Sequence, residues 1–302
     1  MMKRFGTLAV GLMLMALTGC QQATEPEPVE SRMVSLNIGA SFHLKMEIGE
    51  WGSGVDSDQT MNGEEVKSRA DGSPATRMAF VLIDEDGQKV VSQEKTSDDS
   101  DYLTLRARVP VGTYGLVAFA HNGSTNATVG ADATVSTPGE KLTDSFVYYG
   151  ELSLDEESDK ESSVTLKRCV SRLSVKHTDK IPTGAASVEI EVSGAGNVLN
   201  ATTGLAAESC EQKVVIQIPQ KYVGTSDNTF SLYTFLPEKE TEVDLVVSVK
   251  DSEGNVLTRH ELKDVPVKVN VKTICTGVLF HADQDVSVSI ESEWGEDEEV
   301  EF

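Results

Sequence analysis

Aromatic side chains are scarce, at 6% of the 302 residues, and no window carries a long apolar stripe at helical spacing. The second absence makes helix a minor component. The first weakens a sugar-stacking platform: Trp51 and the pair Tyr148–Tyr149 are the candidates, and core packing accounts better for the tyrosines. Cations are also short. Lysine and arginine total 26 against 49 acids, and the net charge is −23. Such a field repels nucleic acid phosphate and anionic headgroups, so nucleic acid is set aside as a partner.

Chemistry-bearing patterns are missing as well. The five histidines, His43, His121, His177, His260 and His281, form no HxH or HExxH pair. No GxSxG elbow exists for a serine nucleophile, and Ser193–Asn197 lacks the third glycine of a dinucleotide loop, so a turn explains it better. Asp84–Gly87, "DEDG", has neither the third ligand nor the later glutamate of a calcium loop and reads as a hairpin tip. Carboxylates are spread along strands and loops in the manner of solvated faces. No catalytic residue, metal ligand or cofactor is assigned, and the chain is read as a non-enzyme.

What is present begins at the N-terminus. Lys3 and Arg4 precede an apolar run, Leu8–Leu17, too short to cross a bilayer. Leu17-Thr18-Gly19-Cys20 follows, and it resembles a bacterial lipobox. Small residues admit a peptidase, and the Cys20 sulfur can be alkylated by a diacylglycerol. The competing reading is an ordinary signal with an incidental cysteine. In the lipobox reading residues 1–19 are a signal peptide, and Cys20 carries more than one acyl chain. At about 0.8 kcal/mol per buried methylene, that anchors stably. Gln21 is not the Asp that favours inner-membrane retention, so the outer membrane is expected. Residues 20–32, rich in Glu and Pro, read as a tether. Without Lys3 and Arg4 the balance is 24 cations to 49 acids, a net charge of −25. Cys169, Cys210 and Cys275 allow at most one disulfide, and their apolar surroundings suit buried thiols.

Nearly everything after the tether alternates with period two. Val34, Leu36 and Ile38 do so, as do Phe42, Leu44, Met46 and Ile48, then Leu103–Val109, Val188–Val192, Val243–Val247, Val265–Val269 and Val286–Ile290. Asp251–Asn255 is a second hairpin tip. Gly49–Pro74 and Asn122–Pro138 are polar and read as exposed loops. Asp155–Ser163 is charged and is the candidate boundary between two strand-rich halves, 33–160 and 161–302. The last twelve residues hold seven acids and read as a solvated tail. Many short strands in two halves predict an all-β protein of two β-sandwiches.

Several stretches resemble, in order, the fimbrillin superfamily of lipoprotein-derived type V pilins and their anchor subunits. They are "TRMAFVLIDEDGQ" (Thr76–Gln88), "VPVGTYGLVAFAHNG" (Val109–Gly123), "VTLKRCVSRLSV" (Val164–Val175), "TFLPEKETEVDLVVSV" (Thr234–Val249) and "VPVKVNVKTICTGVLF" (Val265–Phe280). Ser171 stands where the family usually has alanine. The resemblance implies two transthyretin-like sandwiches in tandem and assembly with other fimbrial subunits by strand exchange at the cell surface. It also implies, for stalk subunits, loss of an N-terminal strand to a protease cutting after arginine. Arg69 and Arg32 are the candidate cleavage positions, and a plain solvated arginine is the competing reading of Arg69. In an anchor subunit nothing is cut, and lipidated Cys20 holds the fibre base. Parity puts Arg168 and Arg172 on one strand face, where pairing with acids is their expected task. The alternative function is a surface glycan-binding lipoprotein.

Overall fold

The computed structural model describes residues 32–43, 74–139, 141–155, 160–281 and 286–289. Every long element among them is a strand, as the alternation predicts. The first set comprises β1 (Met33–Phe42), β2 (Arg77–Asp84), β3 (Lys89–Thr96), β4 (Thr104–Pro110), β5 (Gly112–His121), β8 (Ser145–Leu154) and β9 (Lys160–Arg168). Their order is β3-β2-β5-β8-β9-β1-β4. The ribbon folds over at β9, whose first seven residues run parallel to β1 while Lys167 and Arg168 pair with β8. The two layers enclose a core that includes Ile38, Phe80, Leu105, Phe146 and Leu166, all fully buried.

The second set comprises β10 (Ser171–His177), β11 (Ser187–Ala195), β14 (Cys210–Gln217), β15 (Thr229–Thr234), β16 (Glu240–Lys250), β17 (Val256–Lys268), β18 (Lys272–Gly277) and β19 (Val286–Ser289). Sheets β15-β10-β18-β19 and β14-β11-β16-β17 face each other across a core built on Val188, Phe230, Val247 and Val265. The two sandwiches repeat one plan. In each, the first strand is antiparallel to the fourth and parallel to the seventh: β1 with β4 and β9, β10 with β15 and β18. In each, the second strand lies between the third and fifth, as β2 does between β3 and β5 and β11 between β14 and β16. The expected boundary at residue 160 falls on the first residue of β9, which pairs within the first sandwich. The chain passes to β10 through Cys169 and Val170.

Both hairpin tips form as read. Asp84 Oδ1 accepts the amides of Asp86 and Gln88, and Asp251 Oδ1 those of Glu253 and Asn255. Gly87 and Gly254 follow with φ of 76° and 87°, a conformation costly for any residue with a Cβ.

Two loop readings are corrected. Within Asn122–Pro138 lie β6 (Thr128–Val129) and β7 (Thr134–Ser136), which join β12 (Leu199–Asn200) and β13 (Leu205–Ala206) in a small sheet ordered β13-β12-β7-β6. Val129 and Val135 are buried against Val81, Phe119, Leu199 and Phe235, so an apolar cluster spans both sandwiches. Four buried residues, Ala127, Val129, Ala133 and Val135, among polar ones are enough, because the burial partners come from elsewhere in the chain. Residues 193–195 continue β11 through a register irregularity and are not a turn. Register shifts between Val192 and Ala195, and Gly196 bridges Phe235. A Cβ on Gly196 would stand 2.4 Å from the Glu208 carbonyl oxygen, so the backbones meet there only because glycine has none. The described residues, from Arg32 onward, form one compact unit. Arg168, expected to meet an acid, donates from Nε to Asp144 Oδ1 at 2.7 Å and from a terminal nitrogen to Oδ2 at 3.0 Å. Its other terminal nitrogen reaches Asn270 Oδ1 at 3.1 Å, next to β18. Arg172 instead reaches the Ser231 hydroxyl at 3.4 Å.

Candidate assembly interface

The first strand is the feature with functional content. β1 lies between β4 and β9, paired residue for residue from Met33↔Pro110 to Gly39↔Thr104 on one side and from Leu36↔Lys160 to Phe42↔Leu166 on the other. Val34, Leu36 and Ile38 point into the core and are buried, while Ser35, Asn37 and Gly39 are half-exposed. The alternation in the sequence therefore settles which face goes in, and a one-residue slip would turn three apolar side chains outward. The ladder is extended at both ends. Val111 N–H donates to the Arg32 carbonyl at 2.9 Å, Ala40 N–H to Leu103 at 2.8 Å, and His43 N–H to Leu166 at 2.9 Å. Phe42 closes the end with its ring edge-on to Phe146, centroids 5.2 Å apart.

No hairpin ties this strand to either of its neighbours. A hairpin ties β2 to β3 and another ties β16 to β17, but β1 has a parallel neighbour and reaches β2 only across residues 43–76. Taking β1 out would leave β4 and β9 as facing edges, with unpaired backbone groups above an apolar floor that includes Phe80, Leu105 and Leu166. A gap of that kind binds an extended strand. Ladder hydrogen bonds supply affinity and alternate side chains supply register.

Of the sequence-derived positions, Cys20 and Arg69 lie outside the described residues, as do Trp51 and the second apolar alternation at 44–48. Arg32 is exposed and immediately precedes β1, so a cut after it would leave β1 attached to the domain. A cut after Arg69, between β1 and β2, would sever β1 from the rest. Arg77, at the start of β2, is committed to the fold. Its Nε donates to the Gly123 carbonyl at 2.9 Å and its terminal nitrogens to Asn126 Oδ1, at 2.7 Å, and the Ser124 carbonyl.

Elsewhere the chemistry is structural. Cys169, Cys210 and Cys275 are free thiols. Cys169 and Cys275 are buried, and burial pushes the Cys275 thiol up to about 11 and raises that of Cys169 further. No group of three His, Cys, Asp or Glu among the described residues could hold a metal. His177 is buried with Nδ1 at 2.7 Å from the Asp179 carbonyl, and burial lowers its pKa. Tyr148 packs against the first core, but Tyr149 is exposed and lies over Gly115. Glu94 on β3, paired with Ala79, is the most perturbed carboxylate with a defined value. Burial raises it to about 7 against the opposing charge of Arg77, and its Oε2 has no hydrogen-bond partner among the described residues.

A family model for a family of unknown function, DUF6562, matches residues 58–301. No curated protein matches the chain. Among solved structures, a protein provisionally assigned as an adhesin, from Bacteroides ovatus ATCC 8483, is 12% identical. The match covers 77% of this chain and 83% of that one, with a TM-score of 0.49. A fimbrial assembly protein from Parabacteroides distasonis ATCC 8503 is 11% identical over 87% of this chain and 96% of that one, TM-score 0.37. The tip fimbrial protein Mfa3 of Porphyromonas gingivalis is 12% identical over 86% of this chain and 100% of that one, TM-score 0.39.

Proposed function

The chain belongs to DUF6562, a family of unknown function, and from that premise we propose that it is a structural subunit or anchor of cell-surface fimbriae. It assembles with other fimbrial subunits by strand exchange, contributes to adhesion and catalyses nothing. The observation that carries this reading is β1: an N-terminal strand seated between β4 and β9, with three apolar side chains in the core and no hairpin holding it there. The ordered resemblance of residues 76–280 to fimbrillins supports it. In the stalk variant a cut after Arg69 separates β1, and a neighbour's strand takes its place. In the anchor variant the chain stays whole, and lipid on Cys20 holds it in the outer membrane. Two sandwiches follow the signal and tether, the first taking in β9 (Lys160–Arg168) and the second starting at β10 (Ser171–His177).

Fibres sheared from the native host, with N-terminal sequencing of every subunit and mass spectrometry of the membrane fraction, test this. A mature chain beginning just after Arg69 in the fibre identifies a stalk subunit. A chain beginning at acylated Cys20 at the fibre base identifies an anchor. Absence from fibres, together with unchanged fibres in a deletion strain, refutes both variants.

A further inference from the structure

We propose that the outer face of β4 and β1 is a docking surface for an extended acidic segment of a second copy of this chain. Arg106 and Arg108 are exposed and lie two residues apart on β4. Neither makes an ion pair or side-chain hydrogen bond among the described residues, although acids outnumber cations 49 to 26 in the chain. Asp101 is close enough to feel the charge of Arg106, but its carboxylate is already held by Lys95 at 2.6 Å. The two guanidinium groups border a groove of about 540 Å³ shared with Ser35, Asn37 and Glu161. Ser35 lies opposite Arg108 and Asn37 opposite Arg106, so the polar residues of β1 extend the same surface. Within it the Asn37 Oδ1 atom is buried and has no hydrogen-bond partner, an acceptor waiting for a donor.

Spacing selects the partner. Alternate residues of a strand project from one face about 6.7 Å apart, so the arginines present two forks at that repeat. An extended segment with acids at alternate positions presents carboxylates at the same repeat, and each can take a guanidinium through two parallel hydrogen bonds. This sequence carries such a segment: Glu291 and Glu293, Glu296 and Glu298, Glu299 and Glu301. Glu161 opposes it from β9, across the register pair with Asn37, and confines an acidic strand to the β4 side of the groove. The backbone amides of an incoming strand supply the donor that Asn37 lacks. The inference is separate from the fimbrial reading, because it requires β1 in place and no cleavage.

The test is fluorescence anisotropy of a labelled peptide of residues 290–302 titrated with the full chain at low ionic strength. Saturable binding is expected, weakened at least about tenfold in the double variant Arg106→Ser/Arg108→Ser and by added salt. Arg259→Ser, on β17 and already engaged by Glu261, should bind as the parent does. The double variant should keep the parent's thermal midpoint, since both side chains are exposed. A peptide of the same composition with its acids in adjacent pairs separated by two uncharged residues, so that no two stand at i and i+2, should bind several-fold more weakly, by roughly the loss of one fork. No binding, or equal binding by the double variant, overturns the proposal. Equal binding of the peptide lacking i, i+2 acids, or of an acidic polysaccharide, also overturns it, because the face would then read charge and not a strand.

Discussion

Nicking the chain between β1 and β2 should leave β1 in place until a competing strand is supplied, and the hold should depend on Ile38 far more than on Asn37. A specific protease site introduced between residues 44 and 73 makes the cut. After cleavage β1 is retained by its two ladders, by Val34, Leu36 and Ile38, and by the Phe42 ring packed on Phe146. Ile38 is 0% exposed and Leu36 2%. Fully burying each such side chain is worth about 1.5–3 kcal/mol. Truncating Ile38 to alanine also leaves a cavity, for a total near 2–5 kcal/mol, or roughly 30-fold to several-thousand-fold in the retention of β1 at 1.4 kcal/mol per decade. Asn37→Ser, on the opposite face, should change retention by about 0.5 kcal/mol or less. The assay is the exchange of β1 in nicked protein against labelled peptide 33–42, followed by size-exclusion chromatography and mass spectrometry. If Ile38→Ala and Asn37→Ser release β1 equally fast, burial of the inward face is not what holds the strand. Strand exchange through β1 is then refuted.

Further expectations rest on other residues. Glu94 has its carboxyl raised from an ordinary 4.5 to about 7, so the folded state binds that proton more tightly than the unfolded one. Its contribution to stability is complete below pH 4.5 and is lost as pH rises through 7. Urea titrations at pH 5 and pH 8 should show Glu94→Gln stabilised at pH 8 by about 1–2 kcal/mol, the upper limit near 3 being reduced by partial solvation; an unchanged pH profile would refute this. Arg168→Ala should destabilise by about 2–4 kcal/mol by stranding the part-buried Asp144 carboxylate, and Arg168→Met with Asp144→Asn should recover most of the loss. Native thiol titration with an aromatic disulfide should find Cys210 reactive, while Cys169 and Cys275, both buried, react only on unfolding.

The sequence determined the local terms of this protein. Strand character followed from period-two alternation, since a strand with one wet face can be satisfied in no other way. Val34, Leu36 and Ile38 told in advance which face of β1 goes inside, and Asp84–Gly87 and Asp251–Asn255 closed their hairpins because the capping carboxylate and the positive-φ glycine lie within five residues of one another. Pairings between distant segments were decided only in three dimensions. That β1 would sit between β4 and β9, that β6 and β7 would bury Val129 and Val135 against Leu199, and that Arg168 would find Asp144 all depend on partners tens of residues away or more. No periodicity encodes such a choice. The same holds for the arginine pair of β4: its alternation was plain in the sequence, but its lack of carboxylate partners among the described residues became visible only once the neighbouring strands were in place.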